Sequence, residues 1–230
     1  MNFIRLVKWN NIKKVWHWIW DSNSFASWIV ALILIFVFVK FIFFPVLTII
    51  TGTSLPLAGV ESSSMDHQIV GDDFSILRLC GNKYTKEEKQ YFDFDKYWDN
   101  CGSWYEDNEI TKEEFSNFPL KNGFRRGDII VAYGRFEPEV GDIIIFKPNP
   151  TSTAPRPIIH RIVKIEGNEE KIIQTKGDHN AGQLTISNNI YKTDEINIYE
   201  DQIIGKAILK VPYLGWPKIW LVEFLKLFYR

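Results

Sequence analysis

Three consecutive hydroxyls precede a methionine in Gly59-Val60-Glu61-Ser62-Ser63-Ser64-Met65-Asp66-His67, about nine residues beyond an apolar segment long enough to cross a membrane. A serine in that place is a candidate nucleophile for chains emerging from the bilayer; a serine-rich stretch also reads as a solvated linker. At neutral pH a hydroxyl is a poor nucleophile until a neighbouring base takes its proton. An imidazole, with an ordinary pKa of about 6.5, is the side chain best matched to that task. The chain has four histidines: His17, His67, His160 and His179. His17 precedes the apolar segment and His67 is close to Ser64 in sequence. His160 interrupts the apolar run Ile158-Ile159-His160-Arg161-Ile162-Val163-Lys164-Ile165, where a histidine is either a core ring or a base delivered by a strand. Thr175-Lys176-Gly177-Asp178-His179-Asn180 follows as a tight polar turn. Asp178 there either forms an Asx turn or orients His160 as the acid of a serine triad. Lys147, Lys164 and Lys176 are the alternative bases, and one could serve only if burial lowered its pKa by several units.

The elements that must position these groups divide the chain in four. Over 1–24, Ile4, Val7, Ile12, Val15, Trp16 and Ile19 alternate with Arg5, Lys8, Asn11, Lys13 and Lys14, the pattern of an amphipathic helix on a membrane surface. Residues 25–51 form the apolar segment, unbroken by charge except at Lys40, and predict a permanent transmembrane anchor. Basic residues precede it and none occurs between Thr51 and Phe74, so the positive-inside rule keeps the amino terminus cytoplasmic and puts Ser64 outside a single-pass membrane protein. Residues 52–211 are the outer domain, and 212–230 suit a short amphipathic helix in the interface.

Within the outer domain, Gly127-Asp128 opens Ile129-Ile130-Val131-Ala132-Tyr133 and Gly141-Asp142 opens Ile143-Ile144-Ile145-Phe146, two β-branched runs each started by a turn. Pro148, Pro150, Pro155 and Pro157 make the next link a loop. The His160 strand, a turn at Gly167-Asn168 and Lys171 to Thr175 predict a hairpin, and Gln202 to Val211 a last strand. These short strands indicate a mainly β, antiparallel domain. An insert at 71–121 is charged and aromatic, with a short helix expected over Thr85 to Tyr97 capped by Thr85. It reads as a solvated face, or as a lid or docking surface. It holds the two cysteines, Cys80 and Cys101, either as a disulfide or as free thiols. With 27 basic and 28 acidic residues the chain has no global field for nucleic acid.

Ser62-Ser63-Ser64-Met65 after a membrane helix, Gly141-Asp142-Ile143-Ile144-Ile145-Phe146, Ile159-His160-Arg161-Ile162-Val163 and Lys176-Gly177-Asp178-His179-Asn180, in that order, resemble type I signal peptidases. Histidine rather than lysine before the arginine places the resemblance with the endoplasmic-reticulum and archaeal type. It implies a membrane-anchored, coiled antiparallel β-sheet catalytic domain. It also implies a serine endopeptidase that removes signal peptides from exported precursors after small residues. Ser64 then matches the nucleophile, Ser62 with the Ser64 backbone N–H the oxyanion hole, His160 the base and Asp178 the aspartate of the Lys-Gly-Asp box. No cofactor or metal is implied; the expected partners are precursor proteins, membrane lipid and subunits of a membrane complex. Three features depart from the pattern. His67 stands where a proline is usual, Leu184 stands where a further aspartate is expected, and the insert is large. Asp194 is a distant substitute for the acid. Two other readings compete: a catalytically silent tethered β module that binds exported chains or a membrane complex, and a serine autoprotease cutting itself.

Overall fold

The computed structural model describes residues 9–71, 77–85, 92–167 and 170–226. The chain forms two compact units that divide between Ile50 and Thr51. In the first, α1 (Trp9–Asp21) carries exposed Val15, Trp16, Trp18 and Trp20. The part of the predicted arm before Trp9 lies outside the described residues. Ser24 caps α2 (Phe25–Phe38) by accepting the Ser27 N–H at 3.2 Å. A π-helical turn (Val39–Phe43) then leads into α3 (Phe44–Thr51). Pro45 lacks an N–H, and the wider register before it is a usual way for a helix to absorb such a gap. Together Phe25–Thr51 make 27 helical residues, long and apolar enough to cross a membrane. The Lys40 ammonium rests on the rings of Phe36 and Phe41, at 5.7 and 5.4 Å.

The second unit is built on a seven-stranded, wholly antiparallel sheet that curls into a half-barrel. In chain order its strands are β1 (Leu57–Gly59), β5 (Ile129–Tyr133), β6 (Ile143–Phe146), β7 (Ile158–Glu166), β8 (Ile172–Lys176), β9 (Ile198–Tyr199) and β10 (Ile203–Val211). Across the sheet the order is β1-β5-β10-β6-β7-β8-β9. The Gly-Asp turns enter β5 and β6 as the sequence predicts. Gly127 and Gly141 take φ of 95° and 96°, which favours glycine. The following aspartates tie each turn, Asp128 accepting the Arg125 N–H and Asp142 the Glu139 N–H. Alternation sends Ile143 and Ile145 to one apolar cluster, with Met65, Phe124 and Ile130, and sends Ile144 and Phe146 to another, with Ile162 and Ile173.

The insert contains more structure than its composition suggests. Its strands β2 (Val70–Gly71), β3 (Leu77–Leu79) and β4 (Asn82–Tyr84) form a second, three-stranded sheet. Two helices follow, α4 (Phe94–Glu106) and α5 (Lys112–Asn117). Of the stretch expected as a helix over Thr85 to Tyr97, the described part is helical from Phe94, where α4 begins. Residues 86–91 lie outside the described residues, and Asp93, not Thr85, caps α4 by accepting the Lys96 N–H at 2.9 Å. Cys80 and Cys101 are joined as a disulfide, which ties the β3–β4 turn to α4. Beneath it, Leu77, Leu79, Tyr97, Trp98, Tyr105 and Phe115 form an aromatic core that also takes in Val163 of β7. The chain ends in α6 (Trp216–Lys226), with Trp220, Leu221, Phe224 and Leu225 exposed.

Candidate active site

The serine loop is fixed by its methionine. Met65 is fully buried among Ala58, Val60 and Ile143, and its carbonyl accepts the Phe124 N–H at 3.0 Å, so the preceding Ser64 is held half-buried at the rim of the core. His160 is the third residue of β7, paired with Ile144 of β6. Its Nε2 lies 2.8 Å from Ser64 Oγ although the two residues are 96 positions apart. Ser62 Oγ lies 3.1 Å from the same hydroxyl. Gly177 closes the floor. A Cβ built there would come within 2.8 Å of both His160 Nε2 and the Ser64 carbonyl, so only glycine lets this loop pass beneath the pair.

The carboxylate at the imidazole is Glu195. Its Oε1 is hydrogen-bonded to His160 Nδ1 and accepts the Thr175 hydroxyl at 3.1 Å, while its Oε2 accepts the Leu184 N–H at 2.6 Å. The Glu195 side chain is fully buried. Asp178 is brought elsewhere. Arg161 binds it through Nε at 3.0 Å and Nη2 at 2.7 Å, Tyr105 donates to it at 3.1 Å, and His67 Nε2 lies 2.9 Å from it. The reason is strand geometry: His160 and Arg161 are neighbours on β7, so their side chains leave opposite faces, and Asp178 lies on the arginine's side. Burial alone would raise the Asp178 pKa, but the charge of Arg161 and the hydrogen bonds from His67 and Arg161 outweigh it and hold the carboxyl well below the usual carboxylate range.

The other candidates are likewise occupied. Burial lowers the His67 pKa against the pull of Asp178, and its ring stacks on Tyr97 at 3.5 Å. The departure at position 67 is thus matched by an aromatic partner from the insert. His179 donates its backbone N–H to the Ser64 carbonyl at 2.9 Å, and its Nδ1 lies 3.0 Å from the Asp66 carbonyl. Lys176, opposite Arg161 in the β7–β8 pairing, is buried against the rings of Trp104 and Tyr105 and bonds the Gly177 carbonyl at 3.1 Å. Burial lowers its pKa to about 8, without bringing it to the serine. Lys164 pairs with Glu166 at the surface and Lys147 is exposed. Asp194 is spent on its own turn, accepting the Ile196 N–H at 2.9 Å. The carboxylate that reaches His160 stands one residue beyond it. Burial alternates only at Thr193 and Glu195 and breaks before Ile198, so no sustained periodicity singles out Glu195.

No family model matches the chain. Among curated proteins it is similar to the signal peptidase complex catalytic subunit SEC11 of Colletotrichum graminicola, 31% identical over 110 residues, which cover 46% of this chain and 60% of the relative. The SEC11 subunit of Zygosaccharomyces rouxii is 32% identical over 108 residues, covering 45% of this chain and 61% of its own. Over somewhat less than half of its length, the chain is similar to signal peptidase catalytic subunits. It spans about 60% of the length of these curated relatives. The SEC11 subunit of Saccharomyces cerevisiae gives the same coverage at 29% identity over 109 residues.

Proposed function

We propose that the protein is a membrane-bound serine endopeptidase that removes signal peptides from exported precursors, with Ser64 as nucleophile and His160 as base. The observation that carries this is the 2.8 Å approach of His160 Nε2 to Ser64 Oγ in a half-open site. His160 takes the hydroxyl proton as Oγ bonds to the scissile carbonyl carbon. The C–N bond then breaks, with the same proton passing to the leaving amine. Water, deprotonated by His160, next releases the carboxylic acid and regenerates Ser64. The Ser62 hydroxyl, beside the attacking oxygen, is placed to turn toward the developing oxyanion together with the Ser64 N–H, a kind of contact that contributes a few kcal/mol to acyl transfer. Asp178 is assigned to holding Arg161 and the serine loop. The apolar helix Phe25–Thr51 anchors the enzyme, the basic residues before it keep the amino terminus cytoplasmic, and Ser64 works on the other side. Substrates are precursors whose signal segments lie in the same bilayer, and the similarity to complex subunits supports other membrane subunits as partners.

Detergent-solubilised protein is incubated with a precursor bearing a signal peptide, beside Ser64→Ala and His160→Ala. The parent is expected to release the mature chain and both variants to lose that activity by at least a thousandfold. Equal processing by all three rejects the pair, and an inert but folded parent favours a binding module.

A further inference from the structure

We infer that Glu195 is the positioning acid of the site: it fixes the tautomer of His160 and balances the imidazolium that forms when Ser64 gives up its proton. This deepens the peptidase reading and rests on it. The carboxylate meets three donors, the His160 Nδ1–H, the Thr175 hydroxyl and the Leu184 N–H. With Nδ1 protonated, Nε2 is left with a lone pair aimed at Ser64 Oγ, the form a general base requires.

The acid arrives on a braced loop. The Glu195 N–H donates to the Leu184 carbonyl and the Thr175 N–H to the Glu195 carbonyl, both at 2.9 Å, so backbone and side chain lock positions 184 and 195 together. Between them Thr185 donates its N–H to Asn188 at 2.8 Å, Asn188 donates to the Gln183 carbonyl at 2.9 Å, and Asn189 donates to the Thr193 carbonyl at 2.9 Å. Gln183 in turn reaches the Thr175 carbonyl at 3.0 Å. A buried carboxylate acting only as a loop staple would be satisfied by Thr175 and Leu184. Its third bond goes to the one imidazole that touches the serine, while the nearby Asp178 is engaged by a buried cation on the opposite face of β7.

An amide at 195 cannot satisfy this set. Its NH2 would oppose the donor-only Leu184 N–H, so it turns to His160 Nδ1 and the Thr175 hydroxyl, which can both accept, and this forces the imidazole proton onto Nε2, where it blocks the base. The full chain in detergent is therefore prepared as Glu195→Gln, Glu195→Asp and Asp178→Asn. Precursor cleavage gives kcat and KM, a fluorophosphonate probe gives the reactivity of Ser64, and the His160 Nδ1 proton is followed by NMR. Glu195→Gln is expected to lower kcat and probe labelling together, on the order of 10²–10⁴-fold, with KM unchanged. Glu195→Asp should recover at least tenfold of that loss. The Nδ1 proton resonance should vanish in Glu195→Gln and survive in Asp178→Asn. Folded Glu195→Gln protein with kcat within threefold of the parent, or with the resonance intact, overturns the inference. The resonance reads the Glu195–His160 bond even in a parent that cuts nothing, so failure of the peptidase reading is separately visible.

Discussion

Asp178→Asn is the substitution whose outcome the structure constrains most tightly. Arg161 and Asp178 are both fully buried, and the carboxylate also receives Tyr105 and His67. The guanidinium keeps contacts to the Pro119, Gly141 and Leu120 carbonyls and to the Phe115 ring, but loses its counter-charge. Breaking a buried pair by removing one partner costs about 3–5 kcal/mol. For a domain of this size each kcal/mol moves the midpoint by about 2–4 °C, so thermal unfolding at pH 7 should begin roughly 6–20 °C lower. The pH dependence has a definite sign. Asp178 has its folded pKa depressed by Arg161, so its contribution is complete above the ordinary carboxylate value of about 4 and fades as pH falls below it. The variant should lose less stability than the parent between neutral pH and pH 3. The assay pairs circular-dichroism melts with precursor cleavage well below either midpoint, where the folded fraction of the variant should cut at a rate within tenfold of the parent. An unchanged melt accompanied by a hundredfold loss of kcat would refute the reasoning and return Asp178 to the chemistry.

Gly177→Ala should abolish cleavage by at least a hundredfold, because the added methyl meets His160 Nε2 and the Ser64 carbonyl at 2.8 Å; the NMR shift of the His160 ring checks that the imidazole moves. Opening the Cys80–Cys101 bridge with Cys101→Ser releases a loop of 21-residue separation, a loss of about 3 kcal/mol in the chain-entropy view, read by denaturant unfolding. Cleavage should fall with it, because Cys80 donates its N–H to the His179 carbonyl and the Tyr97 hydroxyl donates to the Asp178 carbonyl. Lys176→Met should retain cleavage within threefold, against a serine-lysine pair. Burial holds the folded Lys176 pKa at about 8, below its unfolded value, so the stability of the parent should rise as pH climbs from about 8 past 10. The variant, followed by urea unfolding across that range, should lack this rise.

The strand runs and the turns between them were legible because alternation and Gly-Asp punctuation act locally. So was the Ser64–His160 pair, since few side chains can activate a hydroxyl and only one of the plausible histidines sat inside a strand. The carboxylate that meets the imidazole was not legible. Asp178 is the more conspicuous carboxylate in sequence, but its neighbour Gly177 runs beneath the imidazole while its own side chain turns toward Arg161. Glu195 reaches His160 only through pairing between positions 184 and 195, a nonlocal contact invisible to periodicity. The insert was obscure for a related reason: its aromatic residues pack around a disulfide and a buried cation, so their spacing follows no single face. Cys80 and Cys101 left both thiol states open until their separation in space was known.

Two neighbouring positions of β7 make unrelated contacts, an imidazole at the Ser64 hydroxyl on one side of the sheet and a guanidinium salt-bridged to Asp178 on the other. Adding a single residue ahead of Ile159 would carry His160 into the place of Arg161, against Phe115, and leave Ile159 facing the alcohol, whereas removing one would present the guanidinium there. Adding two would restore the handedness while shifting every rung by one repeat. This stretch therefore tolerates changes of spelling far better than changes of length, and indels in related chains should fall in the proline-rich approach or beyond Glu166 rather than between them.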